Sequence, residues 1–276
     1  MPTPDNTAAP LRQAAAEETK PARAKDNASE TLAKGLRILD IFGIDDSGFT
    51  LSQIAARVHL NKTSVYRYVN TFRELGYLRR DERTGLYHLG VRSLSLAYTI
   101  VEKSEMVQLV KPFVLEANRK HGVHVDVGLV KGDAIYLIYR HESKDTSVFR
   151  SFSYSSDLYY LATGKAAMAF MEQDELSALL DRLDLAAKTD KTLTDRDSLL
   201  KELERAREQG YCVNNEEFVP GLIAIGAPLF SLRTGKAIGG VSFDSTTDQF
   251  SMKEFEARFS GYLVELAKKI SAVVSL

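Results

Sequence analysis

Leu60-Asn61-Lys62-Thr63-Ser64-Val65-Tyr66-Arg67-Tyr68-Val69-Asn70-Thr71-Phe72-Arg73-Glu74-Leu75-Gly76-Tyr77-Leu78 decides the reading of this chain. Val65, Tyr68, Val69, Phe72 and Leu75 recur at three- and four-residue steps, which predicts a helix from Lys62 to about Leu75 with one buried stripe. Gly76 supplies its stop signal. Lys62, Thr63, Ser64, Tyr66, Arg67, Asn70 and Thr71 are left outside or flanking. These cationic, hydroxyl and amide groups can bond phosphate oxygens or base edges in a major groove. Asn61, Thr63 and Ser64 stand at the helix start, where free N–H groups and the positive dipole end favour phosphate.

Upstream, Leu32, Leu36, Leu39, Ile41 and Phe42 are spaced as one face of a helix beginning near Ser29. Gly43 and Asp45-Asp46-Ser47-Gly48 end it. Thr50 can cap a second helix, Leu51 to Val58, with Leu51, Ile54, Ala55 and Val58 inward. His59 to Asn61 then form a tight connection. Downstream, 77–81 and 86–89 alternate around a Gly85-containing turn and read as a β-hairpin. Helix, helix-turn-helix and hairpin make a winged helix-turn-helix over 29–90. Arg79, Arg80 and Arg83 sit on the wing, within reach of the DNA backbone or minor groove, and Arg67 is the candidate for a bidentate base contact. From Arg57 to Arg92 there are eight basic and three acidic residues, a balance of +5 in a chain whose total is −1. That is the electrostatic footprint of a polyanion-binding module. Residues 1–28, poor in large apolar side chains, are expected to form a disordered tail.

Residues 91–104 read as a linker helix. A further helix follows, broken at Pro112, and leads into an α+β domain over 105–276 with an antiparallel sheet. Strands are predicted at 123–130, 134–140, 211–214, 222–230 and 237–244. Helices are predicted at 166–171, 175–183, 198–209 and 253–274, the last packing through Phe255, Phe259, Val264, Leu266, Ile270 and Val273. Hydrophobic residues make up 44% of the chain, enough for a sizeable core. No apolar run reaches the roughly 18 residues of a membrane span. The single cysteine and the lack of an apolar leader make a cytoplasmic location the expectation.

Catalytic constellations are missing. There is no HExxH or GxSxG, and Gly164-Lys165 lacks the remainder of a phosphate loop, so neither an enzyme nor a bound cofactor is expected. His121, His124 and His141, with Asp126 and Glu142, could suggest a metal or a general base, yet no third clear ligand stands beside them. Cys212 reads as a packed small hydrophobe. Glu216-Glu217 is either a carboxylate pair for acid–base chemistry or, the favoured reading, a turn that orients a strand. Ala162, Thr163 and Gly164 are small, so N–H groups at the start of the next helix could receive a carboxylate; Thr163 suits an ordinary N-cap equally well.

Three stretches give the chain a resemblance to the IclR family of bacterial regulators. Leu60 to Arg67, with Leu75-Gly76-Tyr77-Leu78 and Tyr87-His88-Leu89-Gly90, looks like that family's recognition helix and wing. Ala162-Thr163-Gly164-Lys165-Ala166 is similar to the segment that opens a helix at the ligand pocket. Glu216-Glu217-Phe218-Val219-Pro220-Gly221 through Pro228 fits the family signature of paired Glu, then Gly, then a small residue and Pro. The resemblance implies a GAF-like effector domain and homodimers through the N-terminal and linker helices, often as dimers of dimers. It also implies a small organic or aromatic acid that modulates binding to a double-stranded operator. Pocket contacts fall, by position, on Tyr159, Ala162, Thr163, Asn214, Ala224, Ser242 and Asp244. Two positions depart from the family: Tyr159-Tyr160 stand where small residues or histidine are common, and Asp244 replaces a more usual serine. A carboxylate there would repel an anion unless it faces away. The alternatives are a ligand-independent DNA-binding protein whose C-terminal domain only oligomerises, and a metal sensor.

Overall fold

Thr50 and Asn61 each start a helix with their own side chains. Thr50 Oγ1 accepts the Gln53 N–H while Gln53 Oε1 accepts the Thr50 N–H, a reciprocal cap on α2 (Leu51–Arg57). Asn61 Oδ1 accepts the Ser64 N–H at 2.8 Å and opens α3 (Lys62–Glu74). Between them His59, at φ 52°, turns the chain. In this computed structural model the described residues are 29–42, 48–143, 154–155 and 157–274. The expected tail over 1–28 and most of the turn after the first helix, residues 43–47, lie outside them.

The first helix, α1 (Glu30–Asp40), packs the expected Leu39, Ile41 and Phe42 against the core but leaves its first two leucines outside. Leu32 and Leu36 are 60% and 48% exposed, while Gly35, Ile38 and Ile41 are buried. Gly35 has no side chain, so the rings of Tyr68 and Phe72 lie against its backbone and select that face. Leu75 is likewise exposed rather than packed; it is the C-cap of α3, past the last helical residue. The wing is β1 (Leu78–Arg80) paired antiparallel with β2 (Tyr87–Leu89). Asp81 Oδ1 holds its turn by accepting the N–H groups of Arg83 and Thr84, and Gly85 takes φ 72°. Phe49 exchanges two backbone hydrogen bonds with Tyr87 and ties the wing to the core of Ile38, Ile54, Val65 and Val69. Helix α4 (Val91–Lys103) follows, and the chain divides into two units after Val101.

The second unit opens with α5 (Glu105–His121), which runs unbroken through Pro112. The ring removes one N–H from the ladder, but buried Val110 and Val114 on either side fix the turns, and packing outweighs the breaker. Six antiparallel strands follow: β3 (His124–Lys131), β4 (Ala134–His141), β5 (Tyr154–Ser155), β6 (Cys212–Asn215), β7 (Leu222–Phe230) and β8 (Ala237–Thr246). Their order in the sheet is β5-β4-β3-β8-β7-β6. Alternation divides the faces. Val125, Val127, Ile223, Ile225, Val241 and Phe243 point into a core with α5 and α9 (Met252–Ser271). In α9, Leu263 and Ala267 are buried where Val264 was expected, while Val273, just past the helix, packs against this core as expected.

The other face carries α6 (Ala162–Ala169), α7 (Gln173–Leu180) and α8 (Arg196–Gln209) over a second core. Helix α6 starts four residues earlier than periodicity predicts. It is buried all round, so no polar stripe marks its beginning. It rests directly on the sheet at two glycines. A Cβ on Gly226 would lie 2.2 Å from the Ala162 carbonyl oxygen, and one on Gly240 would lie 2.5 Å from that of Thr163.

Candidate functional sites

Two cross-strand rows of the second unit form a polar floor. In the first, Arg140 on β4 faces Asp126 on β3, which faces Ser242 on β8. In the next, Asp244 on β8 faces Ala224 on β7, which faces Asn214 on β6. Leu161, Ala162 and Thr163 at the start of α6 cover them, with Phe218 and Leu222 at one side, around a cavity of about 20 Å³. That is room for a single water molecule.

Six of the seven predicted pocket residues therefore meet around one space: Ala162, Thr163, Asn214, Ala224, Ser242 and Asp244. Tyr159 does not. Its ring is fully buried beside Tyr160, and its hydroxyl donates to the Ala186 carbonyl at 2.5 Å. The phenols back the site rather than narrow it: Tyr160 stacks on Phe218, 5.2 Å between centroids, and Phe218 is the ring at the cavity.

Arg140 was not foreseen. Counting back from the Lys131-Gly132-Asp133 turn pairs Asp126 with Tyr139. An irregularity between Val127 and Gly128 shifts the register by one and brings Arg140 opposite instead. Arg140 Nε then donates to Asp126 Oδ1 at 2.6 Å, and Nη2 donates to Oδ2, a bidentate pair. Burial, then the neighbouring Asp126 charge, pushes the Asp244 carboxyl well above its ordinary range. Burial, aided by Arg140, lowers His124 to about 4, so that imidazole is neutral at pH 7.

Helix α6 has Leu161 as its N-cap and no side chain capping it; Thr163 lies inside the first turn, not at the cap. Its N–H groups therefore start beside the cavity. Below, Lys165 Nζ lies 2.7 Å from both oxygens of buried Glu217. Asn214 Nδ2 donates to the Tyr160 carbonyl, and Asn214 Oδ1 accepts the Glu217 N–H. Glu216 takes φ 62°, pairs with Lys191 and accepts the Gly221 N–H at 2.9 Å. The glutamate pair thus builds a turn and anchors α6. Burial pushes the Cys212 thiol up to about 12, and its Sγ lies against the Ala162 carbonyl, an inert packing position. Among the described residues no group of three His, Cys, Asp or Glu side chains could hold a metal. Nor is any described helix long and apolar enough to cross a membrane.

In the first unit, Lys62, Thr63, Tyr66 and Arg67 are exposed along α3, with Ser64 half-buried. Asn61 is exposed but its Oδ1 is engaged in the cap. Arg79, Arg80 and Arg83 are exposed on the wing. Arg80 Nε also reaches the Gly85 carbonyl at 3.5 Å, and its guanidinium lies 5.9 Å from the centre of the Tyr87 ring. The arrangement is a cationic, hydroxylated rim on a rigid capped helix.

A winged helix-turn-helix followed by a domain with a polar internal cavity defines a class, the DNA-binding transcription regulators with a separate effector domain. The comparisons specify which. The helix-turn-helix model of the IclR family matches residues 31–82, and the bacterial transcriptional regulator IclR C-terminal model matches 98–272. The chain belongs to the IclR family of transcriptional regulators, and it is a regulator, not an enzyme. It is similar to the HTH-type transcriptional regulator BhcR of Paracoccus denitrificans, 30% identical over 87% of this chain and 85% of that one. The HTH-type transcriptional regulator KdgR of Escherichia coli K12 is 28% identical over 85% and 91%. The crystal structure of the Thermotoga maritima IclR has a TM-score of 0.65 and 27% identity, covering 88% of this chain and 97% of that one.

Proposed function

We propose that the chain is a cytoplasmic regulator whose operator binding is set by a small organic or aromatic acid held in the cavity between the sheet and the start of α6. The observation that carries this reading is the uncapped first turn of α6 opening on a buried polar chamber. N–H groups without intrahelical partners, at the positive end of a helix dipole, are a seat for a carboxylate. At about 20 Å³ the chamber is closed, so Phe218 and Leu222 must move aside for a ligand. Arg67, Lys62, Thr63, Ser64 and Tyr66, with Asn61 at the helix start, meet the major groove. Arg79, Arg80 and Arg83 meet the flanking backbone. Two copies associate through the apolar residues exposed on α1 and α4, among them Leu32, Leu36, Leu94 and Tyr98, and place two recognition helices on a two-fold operator. Such dimers pair further into dimers of dimers.

Thermal melting of the full chain against a panel of small organic and aromatic acids tests the effector. A ligand that binds only the folded state raises the midpoint, and the acid that does so should change operator affinity. Ser242→Leu should abolish both responses while leaving operator binding intact. If no acid shifts the midpoint, the ligand-independent alternative takes over.

A further inference from the structure

An acid effector accounts for the start of α6 but leaves the floor of the cavity unexplained. Among the described lining residues one arginine faces two carboxyl groups, Asp126 and Asp244, both buried. Arg140 gives two hydrogen bonds to Asp126. Both carboxyls line the one cavity, and the Asp126 charge adds to burial in raising the Asp244 carboxyl. The imidazole paired with Asp244 across the sheet is that of His124, which is neutral and already accepts the Ser143 N–H at Nδ1, 3.3 Å away. Among the described residues lining it, the chamber thus holds two carboxyl groups for one arginine. A plain anion would add negative charge beside the Asp126 and Asp244 carboxyls. Thr163, 2% exposed, also lines the cavity, and its hydroxyl makes no hydrogen bond among the described residues. It lies in the uncapped first turn of α6.

Building on the acid-effector function proposed above, we infer that the effector is an amino acid. Such a zwitterion would seat its carboxylate at Thr163 and the start of α6, and its ammonium group against the Asp126 and Asp244 carboxyls. The ammonium brings a second cation to the two carboxyls and donates charge-assisted hydrogen bonds to both. Specificity then comes from the mismatch: a ligand without the donor leaves the buried carboxyls uncompensated.

The test is isothermal titration calorimetry of the full chain with matched pairs: alanine against lactate, aspartate against malate, phenylalanine against phenyllactate. In at least one pair the amino acid should bind about tenfold or more tightly than its hydroxy partner, the size of one charge-assisted hydrogen bond. Asp244→Ser, and Asp244→Asn as a closer isostere, should bring that ratio to within about twofold by removing the second carboxylate. Hydroxy acids binding as well as or better than amino acids in the unaltered chain would overturn the inference and leave the acid-effector function standing. If no member of either series binds, both are lost.

Discussion

The starts of α3 and α6 present the same residue types, asparagine, threonine and arginine, in opposite circumstances. At α3, Asn61 caps the helix, and Thr63 and Arg67 face solvent. At α6 no side chain caps, and Thr163, Asn214 and Arg140 are gathered around a closed chamber. An exposed polar group keeps its water until a partner arrives, and costs the fold nothing meanwhile. A buried one must be satisfied within the protein or by a ligand. The first arrangement suits a large partner of fixed geometry, the second a small one of fixed chemistry.

Truncating a charge on each side should separate the two regimes most sharply. Lys165→Ala strands buried Glu217 and is expected to destabilise the second unit by about 3–5 kcal/mol in urea unfolding. Arg67→Ala should change stability by less than about 0.5 kcal/mol while weakening operator binding by about 1–3 kcal/mol in a gel-shift titration. Equal operator affinity would remove Arg67 from the reading surface. Asn61→Ala, which deletes a cap, should cost about 1 kcal/mol of stability in the first unit, seen as a lower unfolding midpoint.

A last effect concerns pH. Folded His124 titrates near 4, against an ordinary value of 6.5, so on acidification the unfolded state takes its proton first. Stability that depends on neutral His124 is complete above about 6.5 and is lost as pH falls towards 4. Asp244, raised by burial, works in the opposite sense. Comparing His124→Gln with the parent chain isolates the first contribution: the acid limb of the melting profile should flatten between those values.

The winged unit was largely legible because its signals are local: a 3.6 period, caps at Thr50 and Asn61, and Gly76 and Gly85 at the turns. Where reading failed, a partner decided. Gly35 under Tyr68 and Phe72 draws the start of α1 in on its own side and leaves Leu32 and Leu36 outside. In the second unit five of the six strands were readable, Leu222–Phe230 to the residue, but not the short Tyr154–Ser155. Arg140 was not, because one shifted register in β3 determines which side chain crosses to Asp126. The Lys165–Glu217 pair joins residues 52 apart and leaves no periodic trace. Tyr159 sits beside pocket residues in sequence but turns its hydroxyl to Ala186.

Operator affinity of the full chain, measured across a salt series with and without an acid that raises its melting midpoint, bears most directly on the division between an open rim and a closed chamber. The logarithm of affinity should fall linearly with that of salt, and the acid should change affinity at every salt concentration. Salt-insensitive binding, or an acid that stabilises the fold yet leaves operator affinity untouched throughout, would contradict it.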